Sequence, residues 1–140
     1  MENNKDIDTL KAKISIIQKI LDILRSLLKI QTLKDKLEWE EKAREIAKNY
    51  KIDVEEFIAT IWAESGMDPN ATNYNKNGTV DYGICQFNDY WYRDIIAPYD
   101  AINGPELALN IMAQMWERGR QNDWIAYRSG AYKKYLKTKI

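Results

Sequence analysis

Proton chemistry in this chain falls to residues other than histidine, because its 140 positions include none. That removes Ser-His-Asp and Cys-His nucleophilic machinery. It also removes the commonest ligand of catalytic zinc. Asp, Glu, Lys, Tyr and Cys remain as possible acids and bases. Cys85 is the single cysteine, so no intrachain disulfide can form; it reads as a small buried apolar residue in preference to a reactive thiol. Among the carboxylates, Glu64 stands out by position. Phe57, Ile58, Ile61 and Trp62 form the buried stripe of a helix predicted from Val54 to about Ser65. Gly66 ends that helix and Pro69 follows. Glu64 therefore lies near its C-terminal end, where the macrodipole disfavours an anion. Apolar neighbours that desolvate the carboxyl would raise its pKa further. A general acid needs that environment to keep its proton near neutral pH. Taken alone, the same position better suits a solvent-exposed Glu at a helix end.

The surrounding elements must present that carboxyl. Asp53 reads as the N-cap of the Glu64 helix, with Glu56 three residues on completing a capping box. No Gly or Pro precedes Gly66, so the first half should be helical. From about Asp6 to Leu37 apolar residues follow helical spacing. Leu10, Ile14, Ile17, Leu21, Leu24 and Leu28 make one seam, and Ile16, Ile20, Ile23, Leu27 and Ile30 a second beside it. The resulting face is wider than a two-stranded coiled coil requires. Self-association, packing on the remainder of the chain, or docking on a partner or membrane surface could each cover it. A separate helix is predicted from Leu37 to Tyr50, with Trp39, Ala43, Ile46, Ala47 and Tyr50 on one face. Residues 66–81 read as a loop or short hairpin. Asn77-Gly78 is its turn signal, and Thr79 to Tyr82 could form a short strand. A helix from Pro105 to about Arg120 follows, then one or two more between Asp123 and Leu136.

Bulk composition narrows the function classes. Basic and acidic residues number 21 each, giving zero net charge and no nucleic-acid footprint. Apolar residues at 45% and charged residues at 30% suit one soluble globular domain. Five Trp and nine Tyr are many for this length; they fill cores and also stack on sugar rings. Lys19, Asp22, Arg25 and Lys29 interrupt the N-terminal apolar residues, so no transmembrane segment is expected. The polar start Met1-Glu2-Asn3-Asn4-Lys5-Asp6 does not read as a signal peptide. The sequence suits either a trimmed form of an exported protein or a phage-type enzyme exported by other means.

Three motifs carry a resemblance. The first is Ala63-Glu64-Ser65-Gly66-Met67-Asp68-Pro69-Asn70-Ala71. The second runs from Asn75 through Asn77-Gly78-Thr79-Val80-Asp81-Tyr82-Gly83-Ile84-Cys85-Gln86-Phe87 to Asn88, and the third is Ala126-Tyr127-Arg128-Ser129-Gly130. Over roughly Leu37 to Tyr135 the chain resembles the lysozyme superfamily. The nearer likeness is to its soluble lytic transglycosylase branch (SLT-domain), including the small VirB-one-like secretion-system enzymes. Arg128 departs from the third motif, which carries Asn there. Asp81, 17 residues after Glu64, is also similar to animal-type lysozymes.

This resemblance implies a mainly α (α+β) fold of lysozyme-like type, with a minimal β-hairpin at one cleft wall; it is silent on the N-terminal stretch, where the apolar spacing predicts a long amphipathic helix in front. Residues 1–36 would form that helix, a coiled-coil or packing element, and residues 37–140 the catalytic domain. It implies cleavage of the bond between N-acetylmuramic acid and N-acetylglucosamine in peptidoglycan. Glu64 would be the general acid and then base. Asp81 would be a second carboxylate across the cleft, or simply a turn-stabilising Asp. Ser65 would orient Glu64 or substrate, or cap the helix end. Gly83 would permit close backbone approach below the sugar, or serve a tight turn. Gln86 would bond an N-acetyl group or the cleft backbone. Tyr127 would bring its hydroxyl near Glu64, or fill the core, while Asn88 reads as structural. A transglycosylase leaves an anhydro end; a muramidase of lysozyme type admits water; a lysozyme fold can also bind glycans without cutting them. No cofactor or metal is implied. The partners would be glycan strands in an extracytoplasmic setting, with a possible homo-oligomer through the N-terminal helix.

Overall fold

The computed structural model describes residues 2–136. Helix α1 runs from Glu2 to Ala47, and the chain divides into two compact units, one up to Asp35 and one from Lys36 onward. The predicted division into two helices near Leu37 is corrected: α1 continues through that point. The reason is local, because Leu33-Lys34-Asp35-Lys36-Leu37-Glu38 offers good helix formers and neither a Gly nor a Pro to stop them. In the first unit every described side chain from Asn3 to Asp35 is exposed, both apolar seams included. Among the described residues no helix is long and apolar enough to cross a membrane.

The second unit is built around helix α2, Val54–Ser65. Its N-terminus forms as the cap residues dictate: the Asp53 carboxylate accepts the Glu56 N–H at 3.0 Å. The reciprocal half of the predicted capping box is replaced, because the Glu56 carboxylate accepts the Tyr127 hydroxyl at 3.2 Å instead. Gly66 closes α2 in the left-handed conformation at φ 62°, its N–H returning to the Trp62 carbonyl. The apolar face of α2 packs with the end of α1, through Ala43 and Ala47, and with helix α4, Pro105–Glu117. Phe57 of α2 meets Trp116 of α4 edge-on at 5.3 Å. Pro105 opens α4 as predicted, and Gly119, at φ 82°, lies just past its end.

Three short strands form an antiparallel sheet in the order β1 (Thr72–Tyr74), β2 (Val80–Tyr82), β3 (Phe87–Asn88). The Asn77-Gly78 turn joins β1 to β2, as its sequence predicts. Register places Asp81 opposite Asn73 on one side and Asn88 on the other. Helix α3, Pro98–Asn103, links the sheet to α4. Beyond α4 the chain is shorter-stepped than predicted. It makes a 3-10 turn at Gln121–Asp123, helix α5 at Ile125–Arg128 and a second 3-10 turn at Ala131–Tyr135. Extended Trp124 and left-handed Gly130 interrupt what would otherwise be one helix. A mainly helical domain with a small antiparallel sheet and a long N-terminal helix is the lysozyme-like arrangement.

Candidate active site

Glu64 sits in the last turn of α2, with its side chain partly buried. Burial is the main reason its carboxyl lies above the ordinary pKa, and the nearby Asp81 charge pushes it the same way. Two groups oppose that rise: the Ala126 N–H, which donates to Glu64 Oε1 at 2.8 Å, and, more weakly, the Arg128 charge. One carboxyl oxygen is thus fixed by backbone.

Asp81 occupies the middle of β2 in a different environment. Its Oδ1 accepts from Asn88 Nδ2 at 2.8 Å, and its Oδ2 accepts from Asn75 Nδ2 at 3.0 Å. Asn88 is itself fixed, since its Oδ1 accepts the Tyr90 N–H at 3.0 Å and the Trp91 N–H at 3.2 Å. The structural reading of Asn88 agrees with this geometry.

Glu64 and Asp81 line one cleft of about 690 Å³, a size suited to small-molecule or sugar units. Its aromatic lining is Trp91, Tyr92 and Trp124. Tyr92 stacks on Trp124 with ring centroids 6.2 Å apart, and burial pushes the Tyr92 hydroxyl up to about 12. Trp91 is 71% exposed and braced edge-on by Tyr90, leaving an indole face available to a sugar ring. Lys76, Arg120 and Arg128 add positive charge to the lining. Arg120 pairs with Asp123 at 2.6 Å, and Arg128 Nη1 donates to the Asn122 carbonyl at 2.9 Å. Among the described residues no group of three or more His, Cys, Asp or Glu is arranged to hold a metal ion.

The remaining candidates divide. Gln86 lines the cleft, but its amide is engaged inward. Its Nε2 donates to the carbonyls of Gly83 (2.8 Å) and Ala71 (3.1 Å), and its Oε1 accepts from Asn73 at 2.8 Å. These bonds hold Gln86 in a left-handed backbone at φ 54°, a conformation that costs a non-glycine residue about 1–3 kcal/mol. Ser65 donates to the Ile61 carbonyl at 3.2 Å, a bond within its own helix, and is absent from the cleft lining. The close approach at Gly83 is to protein, because a Cβ there would lie 1.9 Å from the Ala101 carbonyl oxygen of α3. With φ at 79°, the position needs glycine on two counts.

Tyr127 requires correction. Its hydroxyl bonds Glu56, and its ring stacks on Tyr132 at 4.8 Å and meets Trp116 at 5.1 Å. It belongs to the packing behind α2, and the contact to Glu64 from this motif comes from the preceding Ala126 N–H. A backbone donor leaves no trace in residue type, so the sequence offered no signal for it. Asn75 was within reach of sequence reasoning: it lies six residues before Asp81 across the Asn77-Gly78 turn, and its amide can donate to a carboxylate. Cys85 is fully buried, and that burial pushes its thiol well above its ordinary range, which suits a packing residue.

Comparison with known proteins agrees with this arrangement. The family model for the Transglycosylase SLT domain matches residues 41–134. Lysozyme c-1 of Anopheles gambiae is 41% identical over 54 residues, which is 36% of this chain and 39% of that lysozyme. The chain therefore spans well under half the length of that relative. The family model covers more than half of the chain, and the protein belongs to the Transglycosylase SLT domain family.

Proposed function

We propose that this protein cleaves the β-1,4 bond between N-acetylmuramic acid and N-acetylglucosamine in peptidoglycan as a lytic transglycosylase. The observation that carries the reading is the Glu64 carboxyl, desolvated at the end of α2 and facing a cleft large enough for sugars. Desolvation favours the protonated acid, which can then donate to the glycosidic oxygen. The Ala126 N–H holds one oxygen and so orients the group, while opposing the rise in pKa less than burial promotes it. As the leaving sugar departs, positive charge develops on the muramoyl ring. Glu64, now an anion, takes the proton of the muramoyl hydroxymethyl group as its oxygen closes on the anomeric carbon. The new C–O bond replaces the broken one, and the product is the anhydro sugar. Exposed Trp91 would stack on a sugar ring, buried Trp124 and the Tyr92 stacked on it would form the wall behind, and Gln86 would hold the loop that shapes the floor of the cleft. This substrate places the enzyme's work outside the cytoplasm.

A second outcome is favoured by one feature, Asp81. It lines the cleft with both carboxylate oxygens accepting amide hydrogens, and a lysozyme is among the similar proteins. In that version water attacks and Asp81 stabilises the oxocarbenium-like state or positions the water. Digestion of purified peptidoglycan followed by mass analysis separates the two. A terminal muramoyl product lighter by one water identifies the transglycosylase, and a reducing end identifies the hydrolase. Glu64→Gln should lower cleavage by about 10²–10⁴-fold, the usual worth of a positioned acid–base group, while the fold and glycan binding persist. Cleavage undiminished in that variant would remove Glu64 from the chemistry.

A further inference from the structure

The two apolar seams of α1 are one pattern written twice. Ile16-Ile17, Ile20-Leu21, Ile23-Leu24 and Leu27-Leu28 each place one member in each seam, so over residues 16–28 the second seam is the first displaced by one residue. One residue turns an α-helix by about 100°. The helix therefore offers two contact directions at that angle, whereas a two-stranded coiled coil uses one. In a closed cyclic assembly each helix meets two neighbours. The directions to them differ by about 90° in a ring of four and about 108° in a ring of five. The angle between the seams falls between these.

Exposure and area agree with that geometry. Along both seams the Ile and Leu side chains are 44–67% exposed, with Leu21 and Leu28 at the two limits. Each can bury roughly 100 Å² of apolar surface. The first seam of one copy against the second seam of the next would cover about 1,100 Å² per contact, close to the roughly 1,200 Å² at which stable interfaces begin, and in a closed ring each chain makes two such contacts. A pair joined through the first seam alone would leave roughly 500 Å² of contiguous apolar surface in water on each chain, a patch of the size that marks an interaction site. A membrane surface fits less well. Membrane-surface helices carry a Lys/Arg-rich polar face opposite Trp, Phe or Leu, but here Asp6, Asp8 and Asp22 break up the basic residues and neither Trp nor Phe precedes Trp39.

We propose that the N-terminal part of α1 assembles with copies of itself into a closed ring of four or five chains, the first seam of each helix seated on the second seam of the next. The test is the mass of the full chain in solution by sedimentation and light scattering. It should be four or five times the 16.5 kDa of one chain. The double variant Ile20→Lys with Leu27→Lys charges only the second seam and should reduce the mass to two chains or one. The size-conserving pair Ile20→Leu with Leu27→Ile should keep the assembly, which controls for helix loss. A wild-type chain that stays monomeric or dimeric up to 100-fold above the lowest working concentration would overturn the proposal. So would a lysine double variant of undiminished mass, or a wild-type monomer that sediments only with anionic phospholipid vesicles.

Discussion

The two walls of the cleft treat their carboxyl groups in opposite ways. On the helical wall Glu64 is desolvated and receives a single backbone hydrogen bond, from Ala126. On the sheet wall Asp81 is gripped by two side-chain amides, Asn75 and Asn88, one on each oxygen. Withdrawal from water favours the neutral acid of Glu64, while the two amides fix the position of both Asp81 oxygens. The difference originates in the supporting elements. A helix end supplies few free donors to a side chain, whereas a short sheet edged by Asn-rich turns supplies several.

The strongest way to break this comparison is to remove the charge from the sheet wall. Asp81→Asn should lower cleavage by about 10²-fold or more if Asp81 stabilises developing charge. It should change cleavage less than tenfold if Glu64 acts alone, so kcat measured on soluble glycan fragments separates the two roles. The same variant should lower the pKa of Glu64, because the Asp81 charge is one of the causes that raise it. The basic limb of the rate profile would then move to lower pH.

A smaller effect is expected in stability. Burial raises the Glu64 pKa in the folded chain above its unfolded value. Between those two values the folded chain binds more protons, so stability falls as pH rises through that interval and stays lower above it. Glu64→Gln keeps an acceptor for the Ala126 N–H but carries no charge. It should melt higher than the wild type at pH 7, and the advantage should vanish as pH falls below about 4, where unfolded Glu is protonated. Equal melting curves at both pH values would mean that the carboxylate is not desolvated at a cost. The smallest effect belongs behind the helical wall. Tyr127→Phe removes a bond to Glu56 and should cost about 1 kcal/mol of stability, with cleavage within about threefold of wild type. A large loss of kcat with an unchanged melting temperature would restore Tyr127 to the site.

How much of this was legible follows the same division. The Glu64 helix was readable because its signals are local: Asp53 before it, an apolar stripe within it, Gly66 after it. The Asn77-Gly78 turn and the Pro105 helix start were legible for the same reason. The near-Leu37 helix end was not, because a change of apolar face resembles a boundary even where no residue stops the helix. The Ala126 contact and the Glu56 bond of Tyr127 link positions 62 and 71 residues apart, and depend on how α5 packs against α2. No local pattern encodes them. Gly83 reads from sequence as close approach to a sugar or as a tight turn, and the group that does come close, the Ala101 carbonyl, could be identified only once α3 was placed.

The proposed cleavage rests on Glu64 holding its proton more tightly than an ordinary glutamate, its carboxyl pKa raised by burial. Following its side-chain carboxyl by carbon NMR across a pH titration, with Glu64→Gln to assign the resonance, measures this directly. The midpoint should lie clearly above the usual glutamate value of about 4.3 and fall when Asp81 is replaced by Asn. A midpoint at or below that value in the wild-type protein would contradict the acid role of Glu64.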